Sequence, residues 1–320
     1  MADEVLLGEI TCPSGTLVLL DGGYLGLWSG ERAGGRAVDF EVHGPDAVPA
    51  ARTFDRGPGL ALYDVPAHWA PGFAAMFRRH CAERGLDATL TAHPRQIPHR
   101  DRARRAIAAG RPDFPMMGVP VVPVGAVPPD RPLPVTATPA EYGWLDIVIT
   151  LSDHTPVARR SHGAIGVDNA RLACADADAL SAWVHDDPLD GRADLVVRGP
   201  DGSRAAPDAA ALPGDGGQGW LDLPFDQAVS RALDLEDYAE HHPDRRFAVD
   251  LRPHSHQWQL MSRVRASPVE AATLDVGGAT MLVAMTTTDD GMLPVELATD
   301  ASGAPVEIRV RIRPADRPLS

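Results

Sequence analysis

Two histidines stand at i and i+2 in the run Pro253-His254-Ser255-His256-Gln257-Trp258. On an extended strand that spacing aims both imidazoles at one face, where their nitrogens could hold zinc or manganese. His241-His242 lie a short segment upstream. A carboxylate or third imidazole would have to converge on the pair, and Pro253 leaves a strand start and a loop equally open. A second chemical feature is the acidic run Asp186-Asp187-Pro188-Leu189-Asp190-Gly191-Arg192-Ala193-Asp194. On an EF-hand template Asp186, Asp190 and Gly191 fall at positions one, five and six. Pro188 then occupies position three, and Val197 stands where a bidentate glutamate is required, so the calcium reading fails. An acidic turn entering a strand fits better, with Asp186, Asp187, Asp190 and Asp194 as an exposed anionic rim able to speed encounter with a basic partner.

Nucleophile patterns are weaker. The chain has no G-x-S-x-G elbow, no H-E-x-x-H, and no G-x-G-x-x-G between a strand and a helix. Ser161-His162 and Asp153-His154 are only chain neighbours, which says nothing about convergence in space. All 30 basic residues are arginine. Without one lysine, the P-loop, protein-kinase, Schiff-base and Ser-Lys mechanisms are excluded. Cys12, Cys81 and Cys174 are odd in number and widely spaced, giving no disulfide framework and favouring a reducing cytosol.

Charge is unequally shared. The 320 residues carry a formal net charge of −14, of which residues 161–320 hold −12. Such a field repels nucleic acid and anionic lipid and attracts basic partners. The one basic stretch, Arg95 to Arg111, has six arginines against Asp101 and no aromatic residues interleaved for base stacking. It reads as a solvated helix paired with the chain's own acid.

Elements must position these residues. Thr16–Trp28 reads as two strands about the turn Asp21-Gly22-Gly23, with further strands at Ala37–Val42 and Leu60–Tyr63. From His68 to Arg84 the period changes: Trp69, Phe73, Met76, Phe77 and Cys81 form a helical stripe that Gly85 should stop, placing Cys81 in a core. Residues 111–139 contain nine prolines, which predicts an extended linker or wrapped arm between two halves, or else a long packed loop. Beyond it come a strand at Trp144–Leu151, a short helix at Asp176–His185, a strand at Ala193–Arg198, a loop at Pro200–Gly219 and a helix at Phe225–Ala239. Val269–Val276, Thr280–Thr287, Met292–Ala298 and Val306–Ile312 complete the chain as four strands of an antiparallel meander.

Two segments carry resemblances. GGATMLVAMTTTDDGMLPVELATDASGAPVEIRVRI (Gly277–Ile312) is similar to the closing meander of uncharacterised bacterial, actinobacterial-type α+β proteins, with Leu293 in place of their usual aromatic. It implies an architecture and no activity. SGTLVLLDGGYLGLWSGER (Ser14–Arg32), VDFEV (Val38–Val42) and GLALYDVPAHW (Gly59–Trp69) resemble an immunity-protein family of bacterial polymorphic toxin systems. That resemblance implies a protein that binds and blocks a cognate toxin without chemistry of its own.

The expected protein is cytoplasmic and α+β, mostly antiparallel sheet with a few amphipathic helices, in two lobes. An N-terminal lobe at 1–110 and an acidic lobe at 141–320 flank the proline-rich segment 111–140. The expected function is non-enzymatic protein binding, immunity-like, with a basic protein such as a toxin as partner. Nucleic acid, membrane and cofactors are not expected partners. The competing expectation is a metal-dependent hydrolase using His254 and His256.

Overall fold

Alternation in PVEIRVR buries Val306, Ile308 and Val310 while their neighbours stay half exposed, the period of a strand with one covered face. Strands of this kind dominate the computed structural model, which describes residues 4–29, 37–54, 64–93, 96–208, 219–286 and 291–312. The fold is α+β with antiparallel sheets.

Two compact units divide the chain: Val184–Ser262, and Met1–Trp183 joined with Arg263–Ser320. The larger is built on two six-stranded antiparallel sheets. One runs in the order Val5–Ile10, Leu133–Pro139, Trp144–Thr150, Pro305–Arg311, Gly291–Thr299 and Ala158–Val167. The other runs Ala271–Val276, Ala279–Met285, Arg171–Asp176, Leu17–Asp21, Val119–Val124 and Phe114–Met116. Side chains from both, including Leu17, Leu19, Ile147, Ile149, Leu282 and Ile308, share one apolar core. A satellite core joins the helix Ala70–Arg84, through Phe73, Phe77 and Cys81, to Phe40 and Phe54.

The unit boundaries therefore lie at 183/184 and 262/263, and the proline-rich segment is not the divide. Its three strands, Phe114–Met116, Val119–Val124 and Leu133–Pro139, belong to both large sheets. Proline tolerates this where its missing N–H faces away from a ladder bond. The final four strands form two hairpins, one in each sheet, instead of one meander. Gly277 (φ 57°) and Gly278 (φ 84°) make the tight turn of the first hairpin, where both residues need the left-handed region.

Other expectations shift locally. Asp21 ends its strand and caps the 3-10 helix Gly22–Leu27 by accepting from the Gly23 N–H at 2.6 Å, so no hairpin forms there. The helix Ala70–Arg84 stops at Gly85 (φ 64°), but Trp69 and Met76 face outward. The helix expected at Asp176–His185 shrinks to a turn of 3-10 helix at Ala179–Ala182. The basic stretch folds as the helix His99–Ala108, with Arg102 buried rather than solvated. Leu60–Tyr63, Arg95 and Asp289-Asp290 lie outside the described residues. No helix among the described residues is long and apolar enough to cross a membrane.

Candidate metal centre

In the smaller unit, Arg192–Arg198 is the central strand of a three-stranded antiparallel sheet, between Gly219–Pro224 and Ala248–Pro253. One face packs on the helix Phe225–His241 through Leu195, Val197, Ala232 and Leu235. On the register of the central strand, Asp194 stands directly opposite Asp222 on one side and Arg252 on the other. Two carboxylates facing each other across a ladder repel unless positive charge lies between them.

His254 lies against one of them. It follows the strand Ala248–Pro253, and its backbone N–H donates to the Arg192 carbonyl at 3.0 Å. Its Nδ1 lies 2.9 Å from Asp190 Oδ2 and its Nε2 3.2 Å from Asp194 Oδ1. Asp190 is itself fixed by accepting the Arg192 N–H at 2.9 Å. Arg192 Nε reaches Asp222 Oδ1 at 2.8 Å. Burial opposes a proton on His254, but the bonds to Asp190 and Asp194 outweigh it and hold the imidazole above its ordinary pKa. The same histidine holds Asp190 below the usual carboxylate range, whereas burial holds Asp194 above it.

Ligand atoms of Asp194, Asp222 and His254 all lie within 4.8 Å of one another. Donors around a tetrahedral ion with bonds of about 2.0–2.2 Å sit roughly 3.3 Å apart, so the site needs only a modest contraction. Asp194 is 2 % exposed, and its carboxylate is hydrogen-bonded by the His254 and Trp258 side chains. Asp222 is half exposed, which leaves one side open to water. With His254 Nε2 on an ion, Nδ1–H would donate to Asp190, the carboxylate–histidine arrangement that commonly orients metal ligands.

The structure thus brings together Asp190, Asp194 and His254 from two separately read stretches. His256 does not join them. Pro253 ends the strand and His256 opens the helix His256–Ala266, where its Nδ1 accepts the Val184 N–H at 2.9 Å. His241 and His242 bond carbonyls in the last turns of the helix Phe225–His241. Asp186, Asp187 and Asp190 are exposed, as an anionic rim requires, while Asp194 is buried and cannot belong to it. Asp222 escaped the sequence reading. Leu221-Asp222-Leu223 marks a strand with an acid on one face, but only the register reveals what the acid opposes.

A second polar cluster lies in the larger unit, assembled from five separate segments. Arg102, 4 % exposed, grips both oxygens of Asp39 at 2.8 and 2.7 Å and Asp64 Oδ2 at 2.8 Å. Asp39 also accepts the Asp64 and Ile97 N–H groups, and Asp64 accepts from Gln96 and the Met117 N–H. His99 Nε2 lies 3.3 Å from Asp64, and its Nδ1 lies 2.8 Å from Ser29 Oγ. Ser29, His99 and Asp64 follow one another as a nucleophile, base and orienting acid would. The bonding argues otherwise. Ser29 N–H donates to Nδ1 at 2.7 Å, and Ser29 Oγ accepts the His99 N–H at 3.0 Å, capping the first turn of the helix His99–Ala108. With His99 fully buried, the cluster is a structural clamp.

Fold and clusters together define an antiparallel α+β protein with one open His–Asp centre and one closed ionic clamp. Compared with known family models, curated proteins and solved structures, the chain matches none.

Proposed function

We propose that the 184–262 unit binds a divalent transition metal through Asp194, Asp222 and His254, and that its activity is metal-assisted hydrolysis. The observation that carries this reading is Asp194: nearly fully buried, opposed to a second carboxylate, and with its ligand atom within 4.8 Å of those of Asp222 and His254. One imidazole and two carboxylates suit zinc or manganese, and three protein ligands with an open side leave room for the water such an ion activates. Asp190 acts through His254 as a positioning residue.

Elemental analysis of protein purified without an affinity tag, with titration of Zn²⁺ and Mn²⁺ into the stripped protein, tests this. One equivalent of metal is expected. His254→Ala and Asp194→Asn should lose it, Asp190→Asn should weaken it about 10–100-fold, and His256→Ala should keep it. Absence of binding, or retention by His254→Ala, overturns the proposal. Bound metal without turnover of nitrophenyl esters or phosphate esters overturns its hydrolytic half.

Charge supports a second reading, an immunity-like protein that binds a basic partner. The 184–262 unit has 15 acidic residues against seven arginines, and Asp226, Asp234, Glu236, Asp237 and Glu240 are exposed along the helix Phe225–His241. A toxin-like reading frame adjacent to the gene is expected to arrest growth when expressed alone and to be tolerated when this chain is co-expressed. Failure to rescue overturns this reading. Undiminished association after Asp186, Asp187 and Asp190 are all changed to Ser removes the anionic rim from it.

A further inference from the structure

The larger unit holds a cavity of about 530 Å³ where the outer strand Ala158–Val167 passes the chain following the helix His99–Ala108. Its wall is divided by chemistry. Ile107 and Leu297 supply apolar surface, while Arg111, Arg160, Ser161 and His162 supply polar groups. We infer that this cavity binds a small organic oxyanion, a phosphate or carboxylate carried on a compact apolar body.

Charge is the first support. Two other cavities of similar size are lined by carboxylates, Asp208, Asp226 and Asp234 in one and Asp176 and Asp178 in the other. The cavity at Arg111 and Arg160 has no Asp or Glu among its lining residues. Neither guanidinium makes a hydrogen bond or ion pair among the described residues, although Asp113 draws on Arg111 from beyond ion-pair distance. The neighbouring Arg159 shows what a satisfied arginine looks like on this strand: it reaches Glu307 at 2.7 Å and Glu296 at 3.6 Å. Two arginines and a serine line this one cavity, and guanidinium forks are the groups that recognise phosphate and carboxylate.

Backbone geometry is the second support. The strand Ala158–Val167 loses register with Gly291–Thr299 between Ser161 and Ala164. Gly163 occupies that bulge at φ 96°, and a Cβ there would come within 3.0 Å of Pro112. Bulges of this kind re-aim side chains beside binding sites. Here the bulge accompanies Ser161 and His162 at the cavity wall, and His162 is held by Nε2–H donating to the Pro123 carbonyl at 3.2 Å. The size suits a metabolite-scale molecule.

Calorimetric titration with phenyl phosphate, benzoate and inorganic phosphate tests the inference on the whole chain. Phenyl phosphate or benzoate should bind with a dissociation constant below about 1 mM, and whichever binds identifies the oxyanion. Inorganic phosphate should bind at least about 10-fold more weakly than phenyl phosphate because it leaves the apolar wall uncovered. The double variant Arg111→Gln/Arg160→Gln, both at exposed positions, should lose at least about 10-fold in affinity, while Arg263→Gln elsewhere in the unit should not. No binding by any of the three at about 10 mM, or unchanged affinity in the double variant, overturns the inference.

Discussion

Replacing Arg102 with methionine is expected to lower the stability of the larger unit by roughly 3–5 kcal/mol, a large share of the ~5–15 kcal/mol that holds a typical domain folded. The substitution keeps the aliphatic stem and removes the cation, leaving Asp39 and Asp64 as two uncompensated buried carboxylates. Some buried ion pairs can be exchanged wholesale for apolar residues at little cost. This one cannot, because Asp39 also accepts the Asp64 and Ile97 backbone N–H groups and Asp64 accepts that of Met117. Removing the acids would orphan those amides. Arg102→Lys should rescue only part of the loss, since one ammonium cannot replace a fork that bridges both acids and the Ile97 carbonyl. Faster hydrogen exchange at the Ile97 and Asp64 amides in denaturant would report the effect locally. Unchanged protection in Arg102→Met would contradict it.

Acid is expected to unfasten the same clamp. Burial holds the His99 pKa below its ordinary 6.5, so the folded state keeps the ring neutral while the unfolded chain takes up a proton. Burial would raise the Asp64 pKa, but His99 and Arg102 overcome it and hold the carboxyl below its ordinary 3.8. In both cases the unfolded state binds more protons, so stability rises with pH. The His99 contribution is complete above about pH 6.5 and falls as pH drops below it. The Asp64 contribution begins to fall near pH 4 and continues downward. Amide protection around Ile97 should therefore decline from pH 7.5 to pH 5, and His99→Gln should flatten that decline whatever its effect on absolute stability. An identical slope in the variant would exclude His99 as its source.

Local pattern made several elements legible. The stripe of Phe73, Phe77 and Cys81 and the stop at Gly85 found a helix because helix faces repeat within four residues. Strand runs near the C-terminus were equally visible, but not their partners, because pairing is decided by surfaces far apart in sequence. Asp21-Gly22-Gly23 has the composition of a hairpin turn. The Asp21 carboxylate instead accepts the Asn169 side-chain amide and the Asp168 and Asn169 N–H groups, nearly 150 residues away. Two of the four aspartates singled out by spacing do meet His254, yet Asp222 needed the sheet register to be seen. The clamp was wholly hidden, since Ser29, Asp39, Asp64, His99 and Arg102 share no local motif. His256 was misplaced for a local reason: a proline ended the strand on which the i, i+2 argument depended.

The interrupted continuity of the larger unit has a consequence for the growing chain. Val184–Ser262 is one uninterrupted segment, so it can close as soon as its own residues have been synthesised. The two large sheets cannot. Arg171–Asp176 needs Ala279–Met285, and Trp144–Thr150 needs Pro305–Arg311, partners that appear more than 100 residues later. Their apolar faces must wait while the insert is made. An insert that folds first replaces a long flexible loop by a tethered body and lowers the entropy cost of joining the strands on either side. The acidic segment would then act during biosynthesis as a spacer whose early closure helps its host to finish.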